Sequence, residues 1–182
     1  MVKLLRENVY ARCILTALRI WIGVEWVRAS LEKIGSPAWT GAQAGTGVDG
    51  FLKGAIAQST GPHATVQAWY ATFVKDFALP HAKLFSYTVS FGELLVGIAL
   101  VLGCLTTFAA LMGIVMNMAY LLAGTSSTNP NMIVWQMILL IAGFNAAYFG
   151  LDYFIIPWLR KFVRRVEGSF QRKTHMPHKL SA

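Results

Sequence analysis

One acidic residue, Glu93, lies inside an apolar stretch that runs from about residue 84 to Gly103. The stretch reaches roughly the 20 residues with which a helix crosses the hydrocarbon core of a bilayer. A carboxylic acid at that depth is costly unless it faces a partner or a wet cavity, so such acids mark functional sites. Glu93 is therefore the first candidate for chemistry, as a group that takes up and releases a proton.

Three other polar side chains come to similar depths when residues are counted along the neighbouring apolar segments. With ~1.5 Å per residue and a ~30 Å core, the depths from the face that holds both chain ends are ~12 Å for Arg19, ~16 Å for Glu93, ~16 Å for Asn117 and ~10 Å for Asn145. Each lone charge costs roughly 2.5–3.5 kcal/mol there, and pairing would relieve that cost. We therefore expect Arg19 to pair with Glu93, and the two asparagines to bond the remaining donors and oxygens.

This polar layer has two interpretations. In the structural one, a buried ion pair fixes the register of the helices and the asparagines join them. In the functional one, Arg19 binds an anion or a carbonyl oxygen and Glu93 moves a proton. We favour the second, because ionisable residues inside a membrane mark function more often than packing, and we assign Arg19 and Glu93 as catalytic. The candidate substrate-binding residues are Asn117, Asn145, Tyr120, Gln136, Arg28 and Glu25, and no metal site is expected.

The elements that position these residues are predicted to be helices in a membrane. The chain is 55% hydrophobic and 13% charged, whereas soluble domains carry about 25% charged residues. An all-α, integral membrane four-helix bundle is the expected fold, and residues 1–157 are its transmembrane domain. The connection at 31–83 is predicted to be a partly helical extracytoplasmic lid over the bundle. The four predicted spans are about 11–30, 84–103, 106–124 and 132–155.

Positive charge is concentrated near the two ends of the chain. Seven Lys and Arg residues follow Trp158, against the single acid Glu167. The segment 158–182 is therefore predicted to be a basic, amphipathic interfacial helix that binds anionic lipid, rather than a surface for nucleic acid. Four spans place both termini on one side, and the basic ends place that side in the cytoplasm. We expect a multi-pass protein of a prokaryotic cytoplasmic membrane.

With these residues in view, the chain resembles the DoxX/DoxD family of small four-helix membrane proteins. That family includes the membrane subunit of thiosulfate:quinone oxidoreductase. The resemblance implies a quinone-linked membrane oxidoreductase, with thiosulfate or another small sulfur or thiol species as electron donor. It supplies no catalytic residues, so the site assignments rest on depth and charge. The motifs that carry it are LEKIGSPAW at 31–39, GELLVG at 92–97, the segment from Asn117 to Pro130, and Gly150-Leu151-Asp152.

The sequence shows no electron carrier of its own. Histidine is absent from every predicted span, which argues against an intramembrane haem with a histidine ligand. Cys13 and Cys104 form neither an iron–sulfur cluster motif nor a disulfide framework, and no GxGxxG nucleotide motif follows a strand. Quinone is therefore expected as electron acceptor. The donor reacts with it directly, or a partner subunit brings the cofactor, and a homo-oligomer is the other partner considered.

Two functions of a different class stay open at this point. The chain could be a non-catalytic membrane scaffold for a redox or thiol-stress complex. It could also be a carrier for a small anion, because weak inverted halves would pair helices 1–2 with helices 3–4.

Overall fold

The computed structural model describes residues 2–159, 161 and 163–164, and every regular element among them is a helix. The all-α prediction is confirmed. Residues 152–159 form a further helical stretch, and most of the predicted tail at 158–182 lies outside the described residues. The elements are α1 (Val2–Glu7), α2 (Val9–Ile34), α3 (Thr46–Ala57), α4 (Ala68–Phe73), a π-helical turn (Val74–Ala78), α5 (Ala82–Leu102), α6 (Thr106–Leu122), α7 (Asn129–Ala142) and α8 (Phe144–Ala147).

Helix α2 is longer than the predicted first span of 11–30. Asn8 caps its N-terminus, because the side-chain oxygen accepts a hydrogen bond from the Ala11 N–H at 3.1 Å. The helix then continues past residue 30 and ends at Ile34. The additional turn places Lys33 on this helix instead of in the predicted connection at 31–83.

Helices α2 and α5 pack closely through two glycines. A Cβ atom on Gly23 would lie 2.8 Å from the Val101 nitrogen, and one on Gly97 would lie 2.8 Å from the Val27 nitrogen. Only glycine allows backbones to approach this closely, as in helix pairs of membrane proteins. The contacts fix an antiparallel register in which Gly23 faces Val101 and Val27 faces Gly97.

Helices α5 and α6 lie close to the predicted spans of 84–103 and 106–124. Gly103 ends α5 with φ 67°, a left-handed conformation that favours glycine, and its N–H bonds the Leu100 carbonyl at 3.3 Å. A short turn then leads into α6. Among the described helices, α5 alone is both long and apolar enough to cross a bilayer, while α6 and α7 are apolar but shorter.

The predicted continuous fourth span of 132–155 is wrong, because the structure breaks it at Gly143. There φ is 58° and ψ is −128°, which residues with a Cβ rarely adopt. Helix α7 before the break has 14 residues, or ~21 Å. After the break, the Asn145 amide donates to the Leu5 and Asn8 carbonyls at 2.7 and 3.2 Å, which ties this corner to the start of α2.

The connection between α2 and α5 is partly helical, as predicted, and covers one end of the long helices. It contains α3, α4 and the π-helical turn, which share an apolar core that includes Val48, Leu52 and Val74. The Tyr70 hydroxyl donates to the Ala119 carbonyl of α6 at 2.9 Å, and the Ser86 hydroxyl of α5 donates to the Trp39 carbonyl at 2.5 Å. We call residues 35–81 the lid.

Candidate functional site

The Glu93 side chain is 1% exposed and has two partners from two other helices. The Lys33 ammonium of α2 lies 2.8 Å from Oε2 and 3.0 Å from Oε1. The Tyr120 hydroxyl of α6 donates to Oε1 at 2.6 Å. A carboxylate, an ammonium and a phenol thus form one hydrogen-bonded unit, which we call the Glu93 cluster. Charge-assisted hydrogen bonds of this kind are short and strong.

The predicted pairing of Arg19 with Glu93 is wrong. Since Val27 faces Gly97, one more helical turn in each direction brings Glu93 level with Leu31, next to Lys33. Arg19 lies about 18 Å from that level along α2. The depth count had placed the start of the first span level with the end of the second span. In the structure, the start of α2 extends beyond the end of α5.

Arg19 instead belongs to the opposite end of the bundle, where α2 begins and α5 ends, which we call the inner end. Its Nη2 donates to the Phe149 carbonyl at 3.0 Å, and the guanidinium lies against Gly103 and Gly150. Its Nε and Nη1 have no hydrogen-bond partner among the described residues. Asp152, two residues after Gly150, supplies a carboxylate at the same end of the molecule. We call these residues the Arg19 cluster.

Asp152 also closes the turn between α5 and α6. Its two carboxylate oxygens accept the N–H groups of Leu105 and Thr106 at 2.6 and 2.8 Å, which caps the N-terminus of α6. Its own N–H donates to the Gly103 carbonyl at 2.8 Å. The Arg19 cluster therefore holds three chain segments together, and none of its residues lines the large cavity described below.

Asn117 and Gln136 lie together, but apart from Asn145. The Asn117 amide nitrogen donates to the Gln136 carbonyl oxygen at 3.0 Å, and both side chains are buried. Asn145 accepts from the Arg12 Nε at 2.7 Å at the inner end. The four residues of the predicted polar layer are therefore split between two ends of the molecule.

The remaining predicted binding residues, Glu25 and Arg28, form an exposed ion pair. Their side-chain atoms are 3.6 Å apart, and the side chains are 40% and 70% exposed. Glu25 lies at the edge of the large cavity, whereas Arg28 is not among its lining residues.

The Glu93 cluster opens onto a cavity of about 970 Å³ beneath the lid. Most of the lining is apolar, and its polar groups include the Glu93 cluster, Asn117 and the indole of Trp26. The Trp26 Nε1 is buried and has no hydrogen-bond partner among the described residues. An apolar cavity with a few convergent polar groups is typical of a small-molecule site. The aromatic residues of its wall include Trp26, Trp39, Phe51, Tyr70, Phe73, Phe85 and Trp135.

Lid residues contact the cluster directly. The Lys33 ammonium lies 5.3 Å from the centre of the Trp39 ring, within cation–π range. The Phe51 ring meets the Tyr120 ring edge to face at 6.2 Å. Burial raises the pKa of the Tyr70 phenol above its ordinary value, so Tyr70 remains a neutral donor to the Ala119 carbonyl.

Comparison with known proteins identifies the family to which the chain belongs. The model of the DoxX family matches residues 14–125, more than half of the chain. The chain belongs to the DoxX family. The matched segment contains all three residues of the Glu93 cluster and Asn117, and it ends before Gln136, Asn145 and Asp152. No curated protein and no solved structure matches the chain. The DoxX family is generally membrane-associated, and α5, α6 and α7 suit that setting.

Sequence reasoning missed Lys33 as a site residue in this DoxX protein. Lys33 lies within the LEKIGSPAW motif at 31–39, which was assigned to the connection at 31–83 and not to the first span. The usable signal was that Gly23 and Gly97 are small residues suited to close helix packing. Setting Gly23 against Val101 and Val27 against Gly97 would have placed the end of α2, with its lysine, beside Glu93.

Proposed function

We propose that this DoxX protein is a multi-pass membrane oxidoreductase, or the membrane subunit of one, that reduces a quinone in the cavity beneath the lid. The observation that carries the proposal is the Glu93 cluster. The Glu93 carboxylate is 1% exposed and accepts hydrogen bonds from the Lys33 ammonium and the Tyr120 phenol. All three groups line a large cavity with aromatic walls. Buried ionisable groups that bond one another and line an apolar cavity are typical of functional sites.

The distribution of side chains supports a membrane setting. The polar residues Arg19, Glu93, Asn117, Gln136 and Asp152 are buried, whereas many large apolar side chains point outward. A soluble protein of this size would not leave so much contiguous apolar surface exposed. In the proposed topology both termini are cytoplasmic and the lid is outside, in keeping with the basic ends of the chain. The exposed apolar side chains include Ile14, Trp21, Leu95, Phe108, Val115, Met137 and Phe154.

The cavity has the features that a quinone head group requires. A quinone is a flat apolar ring with two carbonyl oxygens, so aromatic walls can pack on its faces while donors bond its oxygens. The Trp26 Nε1–H is a buried donor without a partner among the described residues. Tyr120 and Lys33 are the donors on the Glu93 side of the cavity. We assign carbonyl binding to these three residues.

The Glu93 cluster would supply protons for the reaction. Reduction of a quinone to a quinol takes two electrons and two protons. A proton that leaves the Tyr120 hydroxyl for a carbonyl oxygen can be replaced from the Lys33 ammonium through the Glu93 carboxylate, because both contacts are 3.0 Å or shorter. The electrons would come from two thiosulfate ions that form a new S–S bond, or from a dithiol that becomes a disulfide. Either couple releases two electrons.

The test compares two tyrosines of α5 and α6 in the purified, detergent-solubilised protein. Tyr120→Phe removes the phenol from the Glu93 cluster, whereas Tyr87→Phe removes one that donates only to the Thr40 carbonyl at 3.2 Å. A short-chain benzoquinone is titrated while tryptophan fluorescence is followed, and quinol formation with thiosulfate or a dithiol is then measured. We expect quenching in the parent, and at least a tenfold loss of quinol formation in Tyr120→Phe alone.

Three outcomes would contradict the proposal. Absence of quinone-dependent quenching would show that the cavity does not bind quinone. Equal activity of Tyr120→Phe and the parent would show that the cluster does not supply the protons. Equal losses in the two tyrosine variants would show that the effect is general to the bundle. Quenching without quinol formation would mean that the chain binds quinone and needs a partner subunit as the source of electrons.

A further inference from the structure

A second cavity lies at the inner end of the molecule, far from the Glu93 cluster, and two arginines line it. Its volume is about 340 Å³. Arg6 comes from α1, Arg12 from α2, and Asn145 and Tyr148 from the segment after the Gly143 break. None of these residues lines the cavity beneath the lid.

Both arginines are held in place through one nitrogen. The Arg6 Nε donates to the Ile141 carbonyl at 2.9 Å, and the Arg12 Nε donates to the Asn145 side-chain oxygen at 2.7 Å. The Arg12 guanidinium also lies 4.0 Å from the centre of the Tyr148 ring. These contacts orient the two planar groups and leave their terminal nitrogens available, since no described residue bonds them.

No carboxylate of the described residues forms an ion pair with Arg6 or Arg12. The three ion pairs found among those residues involve Arg28, Lys33 and Lys53. Two oriented guanidinium groups without a carboxylate are suited to an anion with several oxygens, because each planar fork bonds two of them.

Exposed apolar side chains lie at the cavity. Phe144, which lines it, is 38% exposed, and Val9, one turn before Arg12 on α2, is 61% exposed. Exposed apolar side chains next to basic residues are typical of a surface that meets the membrane interface. An anion bound by the arginines would therefore have room for hydrocarbon chains alongside α2.

We propose that Arg6 and Arg12 form a binding site for the phosphate group of an anionic membrane lipid. The Arg12 guanidinium, fixed by Asn145 and Tyr148, and the Arg6 guanidinium, fixed by the α7 carbonyl, bind the phosphate oxygens from two sides. The site holds α1 and the Gly143 corner against the membrane surface. It is independent of any quinone chemistry beneath the lid.

The test uses native mass spectrometry of the full chain in a neutral detergent. The protein is titrated with phosphatidylglycerol and, separately, with phosphatidylcholine, and inorganic phosphate is added as a competitor. A basic residue near the headgroups contributes about 1 kcal/mol, or roughly a fivefold change in affinity. We expect Arg6→Gln and Arg12→Gln each to weaken phosphatidylglycerol binding by about fivefold.

The matched control is Lys3→Gln, which removes the same charge from α1 at an exposed residue outside the cavity. It should change the affinity by less than twofold. Arg12→Gln breaks a partly buried bond to Asn145, whereas the bond that Arg6→Gln removes, to the Ile141 carbonyl, is exposed. Arg6→Gln is therefore the decisive variant, and its thermal unfolding should match that of the parent. Displacement of the lipid by inorganic phosphate would assign recognition to the phosphate group alone, and its absence would assign it to the whole lipid. Equal losses in Lys3→Gln and Arg6→Gln, or equal binding of the two lipids, would overturn the proposal.

Discussion

The two ends of the bundle bury charge in opposite ways. At the lid end, Glu93 has an ammonium and a phenol as partners and opens onto a cavity of about 970 Å³. At the inner end, Arg19 is packed against two glycines, and two of its nitrogens have no partner among the described residues. Burial of charge is common to both, so it does not by itself identify a site. Access from a cavity distinguishes the Glu93 cluster, and close packing distinguishes the Arg19 cluster.

The largest expected effect comes from breaking the buried ion pair of the Glu93 cluster. Lys33→Met leaves the Glu93 carboxylate buried without its cation and should lower the free energy of unfolding by about 3 kcal/mol. The double variant Lys33→Met with Glu93→Gln should recover most of that stability, because no charge is left unpaired. Quinol formation should be lost in Lys33→Met and should not return in the double variant. Thermal unfolding and quinone reduction on the same preparations check both statements, and an active double variant would reduce the cluster to packing.

A smaller effect is expected from filling the space next to Arg19. Gly103→Ala places a Cβ against the Arg19 guanidinium at a residue with φ 67°. The left-handed conformation alone costs a residue with a Cβ roughly 1–2 kcal/mol. We expect a lower unfolding temperature and unchanged quinone affinity in the surviving folded protein. The control is Gly54→Ala in α3, where a Cβ meets nothing within 4 Å and the unfolding temperature should not fall.

Arg19→Lys tests whether the inner end has any catalytic role. Lysine keeps the charge but loses the planar group that lies between Gly103 and Gly150 and bonds the Phe149 carbonyl. The earlier assignment of Arg19 as catalytic predicts a folded protein with poor activity. The geometry instead favours a loss of stability of about 1–2 kcal/mol with quinone binding retained. Titration of quinone against this variant decides between the two.

The smallest effect is expected at the exposed pair of Glu25 and Arg28. A surface ion pair contributes about 0–1 kcal/mol, and the Arg28 side chain is 70% exposed. Arg28→Gln should therefore leave both unfolding temperature and quinone affinity within error of the parent. A marked loss of quinone binding would show that the cavity extends to this pair and that the substrate-binding assignment of Arg28 was right.

The sequence predicted most of the helices and the burial of Glu93 in one of them, because hydrophobic length is a local property. The ends of α5 and α6 were found within two residues, since Gly103 and the polar turn after α6 mark them. The residue that pairs with Glu93 is not determined locally. It depends on the register of α2 along α5, which the contacts of Gly23 and Gly97 set. The break at Gly143 was missed because its stabilising bonds come from Leu5 and Asn8, far away in sequence.

The glycine contacts between α2 and α5 also have a mechanical consequence. They make these two helices one stiff body, and α6 packs mainly on α7 as the other. Lys33 and Glu93 both belong to the first body, whereas Tyr120 belongs to the second. A ligand that enters by parting the two bodies must break the bond from Tyr120 to Glu93 and leave the bond from Lys33 intact. Ligand entry and loss of the Tyr120–Glu93 bond are then a single event. The same hydroxyl that holds the two bodies together without a ligand becomes the donor to the ligand.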